Sequence, residues 1–482
     1  MLAIAQSHQS EYSMSTTIQE QPTSLSEVNV YDPEDGSFIA SVPRATCTDV
    51  EAAISRAVVS RELARAMSTY SRTAILQKTS ELIQGRLEEF ATTIAREGVK
   101  TIREARKEVF RCTQTFRFSA EEAHRLNGQT INFDQRLGSE NRTGYFFREP
   151  VGIVVAITPF NDPLNLVAHK VGPALAAGNV VILKPDHATP LSALLLARTL
   201  AEAGLPRDFL QVLVGYGSEI GMSLISDPRV RMVSFTGGRE TGEIILRSMG
   251  LKKVSMELGG NCPTIVLNDA DLAQAVPDCV SGAFWAAGQN CLHVQRLLVQ
   301  DGIYNEFVER LLAATGTYKM GNKLNETTDM GPLINQSAAL RVEAAVIDAM
   351  QAGARLLTGG RREGNFYAPT LLEGVSLSTS LYHEEIYGPV TVLERVASLD
   401  EAIDKANGVD FGLQAAIFTR DLSSAFNAIR RLECGSVMVN GSTDYRDDSM
   451  PFGGVKGSGI GREGVPFAVL EMSEPKVACF NL

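Results

Sequence analysis

Five short runs decide the fold: Gly152-Ile153-Val154-Val155-Ala156-Ile157-Thr158, then NVVILKP (179–185), FLQVLVG (209–215), RMVSFTG (231–237) and VSMELGG (254–260). Each is strand-sized, close to continuous in apolar residues, and followed by a segment with helical spacing. Strands of this kind belong to parallel sheets covered on both faces. Ligands of such sheets sit beyond the carboxyl ends of the strands. Asn161, Lys184, Gly237 and Glu257 fall at or just after the ends of four of these runs, which predicts four candidate site residues along one edge.

Before this sheet, Thr48-Asp49-Val50-Glu51 reads as a capping box. It is followed by Val50, Ala53, Ile54, Ala57 and Val58 at helical spacing, which predicts a long amphipathic helical region. After it, TIVLND, QRLLVQ, PVTVLERV, LQAAIFT and GSVMVNG mark a second α/β segment over about 263–450. Two β-prone stretches, RTGYFFREP (142–150) and MSEPKVACFNL (472–482), belong to neither. Left unpaired, their edges would be exposed in a monomer, so pairing between subunits is expected.

A chain of 482 residues, 44% hydrophobic, is large enough for two or more domains. Its net charge of −11 argues against a nucleic-acid partner, and no apolar run reaches the roughly 20 residues of a membrane span. Residues 1–25 lack the basic start and apolar run of a secretory signal and are expected to form a mobile tail. The seven cysteines form no CxxC pair and no Cys/His cluster with metal spacing. That pattern fits a reducing, cytoplasmic setting and gives no metal site. Six of the cysteines read as small core residues.

The exception is Cys291, in FWAAGQNC, with Glu257 34 residues before it in MELGGNCP. A thiolate attacks a carbonyl carbon well, and a carboxylate activates the water that later releases the product. These residues stand among seven motifs: ITPFNDP, VVILKP, SFTGGRETG, MELGGNCP, GQNC, EEIYGPV and PFGGVKGSGIGREG. In that order the chain resembles the NAD(P)-dependent aldehyde dehydrogenases, from about residue 25 onward. The resemblance implies an α/β fold with a Rossmann-type cofactor domain (26–140 and 153–262), an α/β catalytic domain (263–463) and a small β oligomerisation arm (141–152 and 464–482). It further implies a homodimer or homotetramer acting on a small-molecule aldehyde.

The same resemblance implies roles. Cys291 is the expected nucleophile, Asn161 the oxyanion donor and Glu257 the base that hydrolyses the thioester, with Lys170 and Glu463 as a proton path behind it. Because relatives that pass the acyl group to coenzyme A lack that base, hydrolysis is favoured. A CoA-acylating enzyme and a non-catalytic cofactor-binding protein are the alternatives. Asn161 could instead cap a turn, Glu257 could pair with a lysine, and Lys170 with Glu463 could form a plain ion pair.

For NAD or NADP, Gly237, Gly238 and Gly242 match the loop that approaches the diphosphate at a helix start. Lys184 matches an adenine-ribose residue and Glu385 a nicotinamide-ribose residue, with Tyr387 beside the latter. Thr158, Pro159, Phe235, Leu258, Gly217 and Gly221 complete the expected cofactor set, although Gly215-Tyr216-Gly217-Ser218-Glu219-Ile220-Gly221 is a poor dinucleotide fingerprint. NAD-preferring relatives often place a glutamate where this chain has His187, so NADP is not repelled.

Around the substrate, the resemblance brings Arg111, Asp162, His169, His293 and Arg446 to the tunnel. Polar groups left unpaired against an alkyl chain cost affinity, which favours small hydroxylated or anionic aldehydes. Arginine's fork suits a carboxylate or phosphonate, although Arg111 and Arg446 could equally make salt bridges. Trp285 and His169 stand where succinic-semialdehyde enzymes carry arginines, which demotes that substrate.

Overall fold

A computed structural model describes residues 26–482; the tail expected at 1–25 lies outside the described residues. The five deciding runs form one parallel sheet in the spatial order Lys253–Glu257, Met232–Thr236, Ile153–Ile157, Val180–Lys184, Leu210–Val212. Residues Ile153 to Ala156 and Val180 to Leu183 are completely buried. Successive side chains of a strand point to opposite faces, so both faces are covered. The helices Cys47–Ala66 and Asn165–Ala176 pack on these strands.

A second sheet carries the five later runs in parallel, ordered Thr370–Glu373, Val390–Val396, Val294–Gln300, Cys262–Val266, Gln414–Phe418, Ser436–Val439. Thr370–Glu373 and the antiparallel edge strand Arg355–Thr358 are strands that the apolar pattern did not single out. A third, antiparallel sheet joins Ser473–Asn481 to Arg142–Pro150 and Gln129–Ile131. It exposes Tyr145, Val477 and Phe480.

Five features differ from what the sequence leads one to expect. The first long helix is capped by Thr46, not Thr48: Thr46 accepts from the Asp49 N–H while the Asp49 carboxylate accepts from the Thr46 N–H. A hairpin, Glu27–Tyr31 with Phe38–Pro43, precedes that helix. Gly459–Ile460, expected in the catalytic domain, pairs antiparallel with Lys253–Glu257 and extends the first sheet. Val465–Glu471, expected in the arm, is a helix packed on Asn165–Ala176 and Ile102–Arg125, and Gln129–Ile131, expected in the cofactor domain, joins the arm sheet. No helix among the described residues is long and apolar enough to cross a membrane.

Candidate active site

The carboxyl ends of the first sheet open into a cavity of about 640 Å³. Cross-strand register sets its wall, since Lys184 lies opposite Ile157, Phe235 opposite Ile157, and Glu257 opposite Thr236. Asn161, Lys184, Gly237 and Glu257 all reach the cavity.

The turn that carries Asn161 is fixed by buried charge. Glu108 Oε1 accepts the N–H groups of Leu164 and Asn165 at 2.8 and 3.0 Å, capping the helix that follows. Its other oxygen accepts from Lys100 Nζ at 2.7 Å, and Lys100 also pairs with Asp162. Asn161 itself is 7% exposed and lines the cavity.

Cys291 arrives from the second sheet on a constrained loop. Ala286, Ala287 and Gly288 have φ of +50, +54 and +67°, in the left-handed region. Such conformations cost roughly 1–3 kcal/mol for each non-glycine residue and persist only where the surroundings hold them. Here Glu104 Oε1 accepts the Ala286 N–H at 2.9 Å, and Gln289 bridges the carbonyls of Ala286 and Pro332. At Gly288 a Cβ would lie 2.1 Å from the Gly388 carbonyl oxygen, so the close approach requires glycine. The Cys291 thiol is partly exposed to the cavity, yet burial, together with Glu385, Cys262 and Glu257, pushes it well above its ordinary value. Arg446 opposes that shift.

Glu257 is 2% exposed, and neither carboxylate oxygen has a hydrogen-bond partner. Burial, and then the charge of Glu463, pushes it well above the usual carboxylate range. Glu463 is the opposite case. Burial pushes it up, but Lys170 and Arg446 outweigh this and hold it below the ordinary range. Lys170 Nζ lies 2.7 Å from Glu463 Oε1 and Arg446 Nη2 lies 3.0 Å from Glu463 Oε2. Glu463 lines the cavity with Cys291 and Asn161; Lys170 stands behind it.

The expected cofactor residues assemble around the same cavity. The helix Arg239–Ser248 begins after Gly238 with no side-chain cap, which leaves its first N–H groups facing the cavity mouth. Thr158, Pro159, His187, Gly217 and Gly221 line the same wall, as do Phe235, Leu258, Glu385 and Tyr387. Gly242 does not; it packs behind, where a Cβ would meet Leu258 at 2.6 Å. Glu385 accepts the Gly260 N–H at 2.9 Å and is pushed up to about 7 by burial. Tyr387 sits edge-on to Phe160 at 5.8 Å, and Lys184 Nζ donates to the Pro185 carbonyl at 3.2 Å. The His187 ring lies 4.8 Å from that of Tyr216, with Nδ1 3.4 Å from Asp186. A donor-rich helix start, small residues, a lysine and two carboxylates fit a dinucleotide.

The expected substrate residues divide. Arg446 lines the cavity, its guanidinium 3.8 Å from the Phe452 ring centroid and its buried Nε without a partner. Arg111, Asp162, His169 and His293 are not on the cavity wall. Arg111 Nη2 pairs with Asp448 at 2.7 Å, His169 Nε2 meets the same carboxylate at 2.8 Å, and Asp162 holds Lys100. His293 is buried, with burial pushing it down to about 3. Asp448, Thr236 and Phe452 were missed by sequence reasoning. Thr236 and Phe452 lay inside quoted motifs, but their side chains carry no chemistry that spacing alone reveals.

The family model described as "Aldehyde dehydrogenase family" matches residues 20–478. Aspartate-semialdehyde dehydrogenase 1 of Pseudomonas canavaninivorans is 48% identical, the match covering 94% of this chain and 97% of the relative. The 3-sulfolactaldehyde dehydrogenase of Priestia megaterium is 45% identical over 92% of each chain. A solved glyceraldehyde-3-phosphate dehydrogenase from Methanocaldococcus jannaschii, complexed with NADP, superposes with a TM-score of 0.91 at 38% identity, covering 94% of this chain and 99% of that one. Matches of this extent and identity, on a fold that brings Cys291, Glu257 and Asn161 to one cavity, establish that the chain belongs to the aldehyde dehydrogenase family.

Proposed function

We propose that the protein oxidises a small hydroxylated or anionic aldehyde to its carboxylic acid through a covalent intermediate on Cys291. The observation that carries this reading is the pairing of Cys291 with a buried Glu257 whose two oxygens have no protein partner, both facing one cavity. A buried carboxylate left without a partner is costly unless it has a ligand to serve, and a water between it and Cys291 fits that role.

Cys291 gives up its thiol proton to water and adds as thiolate to the aldehyde carbon, giving a thiohemiacetal whose oxygen is met by the Asn161 amide and the Cys291 N–H; loss of hydride from that carbon leaves the thioester. A bound oxidised nicotinamide dinucleotide supplies the hydride acceptor. Glu257 then takes a proton from water, hydroxide adds to the thioester, and the tetrahedral adduct expels the Cys291 thiolate. Lys184, Glu385, Gly237 and Gly238 would hold the dinucleotide. His187 puts no carboxylate at the ribose, so the site accepts NADP as well as NAD.

Arg446 lines the cavity beside Glu463, and its charge favours aldehydes that carry a carboxylate, sulfonate or phosphonate. The relatives named for aspartate semialdehyde and 3-sulfolactaldehyde are consistent with this class. The exposed arm sheet, with Tyr145, Val477 and Phe480, is the expected contact of a homo-oligomer. A panel of neutral, hydroxylated and anionic aldehydes, followed by reduction of NAD and of NADP, tests the reading. A clear preference for long alkyl aldehydes defeats it, and a monomeric mass in solution defeats the arm assignment.

A further inference from the structure

Asp186 lines the cavity and has no place in the scheme above. It stands on the turn between the strand Val180–Lys184 and the helix Leu191–Glu202, next to His187. Asp186 Oδ1 accepts the Ala188 N–H at 2.9 Å, which fixes the carboxylate on its own turn, and lies 3.4 Å from His187 Nδ1. Asp186 Oδ2 accepts no hydrogen bond from the described residues. The His187 ring is held in turn by Tyr216, at 4.8 Å, and its side chain is close to half exposed.

Strand order sets which part of a dinucleotide meets this turn. The strand ending in Lys184 lies three places from the strand ending in Glu257, about 14 Å at ordinary strand spacing. A nicotinamide that takes hydride from the carbon on Cys291 sits on the Glu257 side, because Cys291 and Glu257 face each other. The uncapped helix start after Gly238 follows Met232–Thr236, the strand next to Glu257, and suits the diphosphate. Continuing along the same edge, the adenosine ribose falls beside Lys184 and Asp186. Apolar residues suited to a flat base adjoin the turn through Tyr216. Met222 and Ile225 follow Tyr216 along the chain, and their short helix packs on the helix that carries Ile244.

We propose that Asp186 reads the 2′-position of the adenosine ribose, its Oδ2 accepting from the ribose hydroxyls of NAD, and that His187 offsets its charge so that NADP is accepted as well. The proposal rests on the dinucleotide-dependent reading above. A carboxylate accepts from a hydroxyl and repels a 2′-phosphate, so it discriminates between the two cofactors. Lys184 does not, because an ammonium donates to a hydroxyl oxygen and to a phosphate alike, and its Nζ already donates to the Pro185 carbonyl. Arg44 lies over the Tyr216 ring at 5.1 Å, but its Nε donates to Glu219 Oε2 at 2.9 Å. His187 is the group in contact with Asp186. As an imidazolium it donates from both nitrogens, Nδ1 to Asp186 and Nε2 to a 2′-phosphate.

Cofactor fragments isolate this half of the site, and their binding needs no turnover. Titration calorimetry compares 5′-AMP with adenosine 2′,5′-bisphosphate, and fluorescence titration of NADH and NADPH repeats the comparison on whole cofactors. Asp186→Asn keeps an oxygen for the Ala188 N–H and removes the charge. It should weaken 5′-AMP and NADH about tenfold, the scale of one hydrogen bond to a charged group, and leave the 2′-phosphorylated ligands as tight or tighter. His187→Gln should act in the opposite sense, weakening adenosine 2′,5′-bisphosphate and NADPH about tenfold while 5′-AMP and NADH change little. Equal losses for both ligands in Asp186→Asn, or no loss for either, overturn the assignment to Asp186. An unchanged bisphosphate affinity in His187→Gln overturns the part given to His187. A wild type that binds neither fragment nor whole cofactor defeats the dinucleotide reading together with the proposal.

Discussion

Replacing Gly260 by alanine should disable the nucleophile without touching it. Gly260 follows the strand that ends in Glu257, and an added Cβ would stand 2.1 Å from the Cys291 carbonyl oxygen and 3.2 Å from its carbon. A close carbon–oxygen contact is about 3.3 Å, so the Cys291 peptide must retreat by about 1.2 Å or the strand end must move by as much. The opposing atoms are backbone, and the peptide belongs to a loop already held in left-handed conformations at Ala286 and Ala287, so no flexible side chain absorbs the shift. A misplacement of about 1 Å costs on the order of 10²-fold in rate, and overpacking costs about 1–3 kcal/mol of stability. Gly259→Ala is the internal control, because the atoms nearest its Cβ would be those of the flexible Glu385 carboxylate, at 2.5 Å. It should weaken dinucleotide binding and leave the burst rate at saturating cofactor near wild type. The assay is the burst rate of reduced cofactor at saturation, with the melting temperature and the rate of Cys291 alkylation followed in parallel. A Gly260→Ala enzyme within about threefold of the wild-type burst rate, with an unchanged melting temperature, would refute the close approach.

Glu257→Gln should keep the burst of one reduced-cofactor equivalent per site and lose roughly 10²- to 10⁴-fold in steady-state turnover, read by stopped-flow absorbance; unimpaired turnover points instead to acyl transfer to coenzyme A. Asn161→Ala should slow the burst itself by roughly 10²- to 10³-fold, and a normal burst would remove the oxyanion role. Glu463 and Asp448 are both held below their ordinary values, so each contributes stability present above the unfolded carboxylate range and lost as pH falls through and below it. Melting temperature should drop with acidification in the wild type, and less steeply in Asp448→Asn; equal slopes would refute the assignment. His187→Glu should weaken NADP binding far more than NAD binding, measured by fluorescence quenching of the apo protein, and an equal effect on both would show that His187 does not face the 2′-position.

The strand runs were legible because burial on both faces leaves an almost unbroken apolar string, and their carboxyl ends mark the edge at which the cavity opens. Asn161, Lys184, Gly237 and Glu257 follow from that alone. The partners of the polar residues were not legible. Arg111 and Asp448 lie 337 residues apart, and nothing in either segment announces the pair that takes Arg111 away from the cavity. The same carboxylate also engages His169 and Asn165, so one missed aspartate removes two expected substrate contacts. Thr48 lost the cap to Thr46 because both spacings offer an acidic residue three positions on, and only folded geometry chooses between them. Gly459–Ile460 are too short to register as a strand, yet they close the sheet against Glu257.

The electrostatics of the resting site explain why its two reacting groups sit where they do. Burial pushes the Cys291 thiol and the Glu257 carboxyl up together, while Lys170 and Arg446 hold the neighbouring Glu463 below the ordinary carboxylate range. A thiolate at Cys291 needs positive charge brought near it, and a carboxylate at Glu257 needs negative charge relieved at Glu463. Lys184 and Gly237, proposed to meet the dinucleotide, line the same cavity as Arg446 and Phe452, proposed to meet the aldehyde. On the proposed scheme a nucleophile and a base that burial both pushes up depend on the charges set around them, and the cations that oppose the shift at both groups include Arg446.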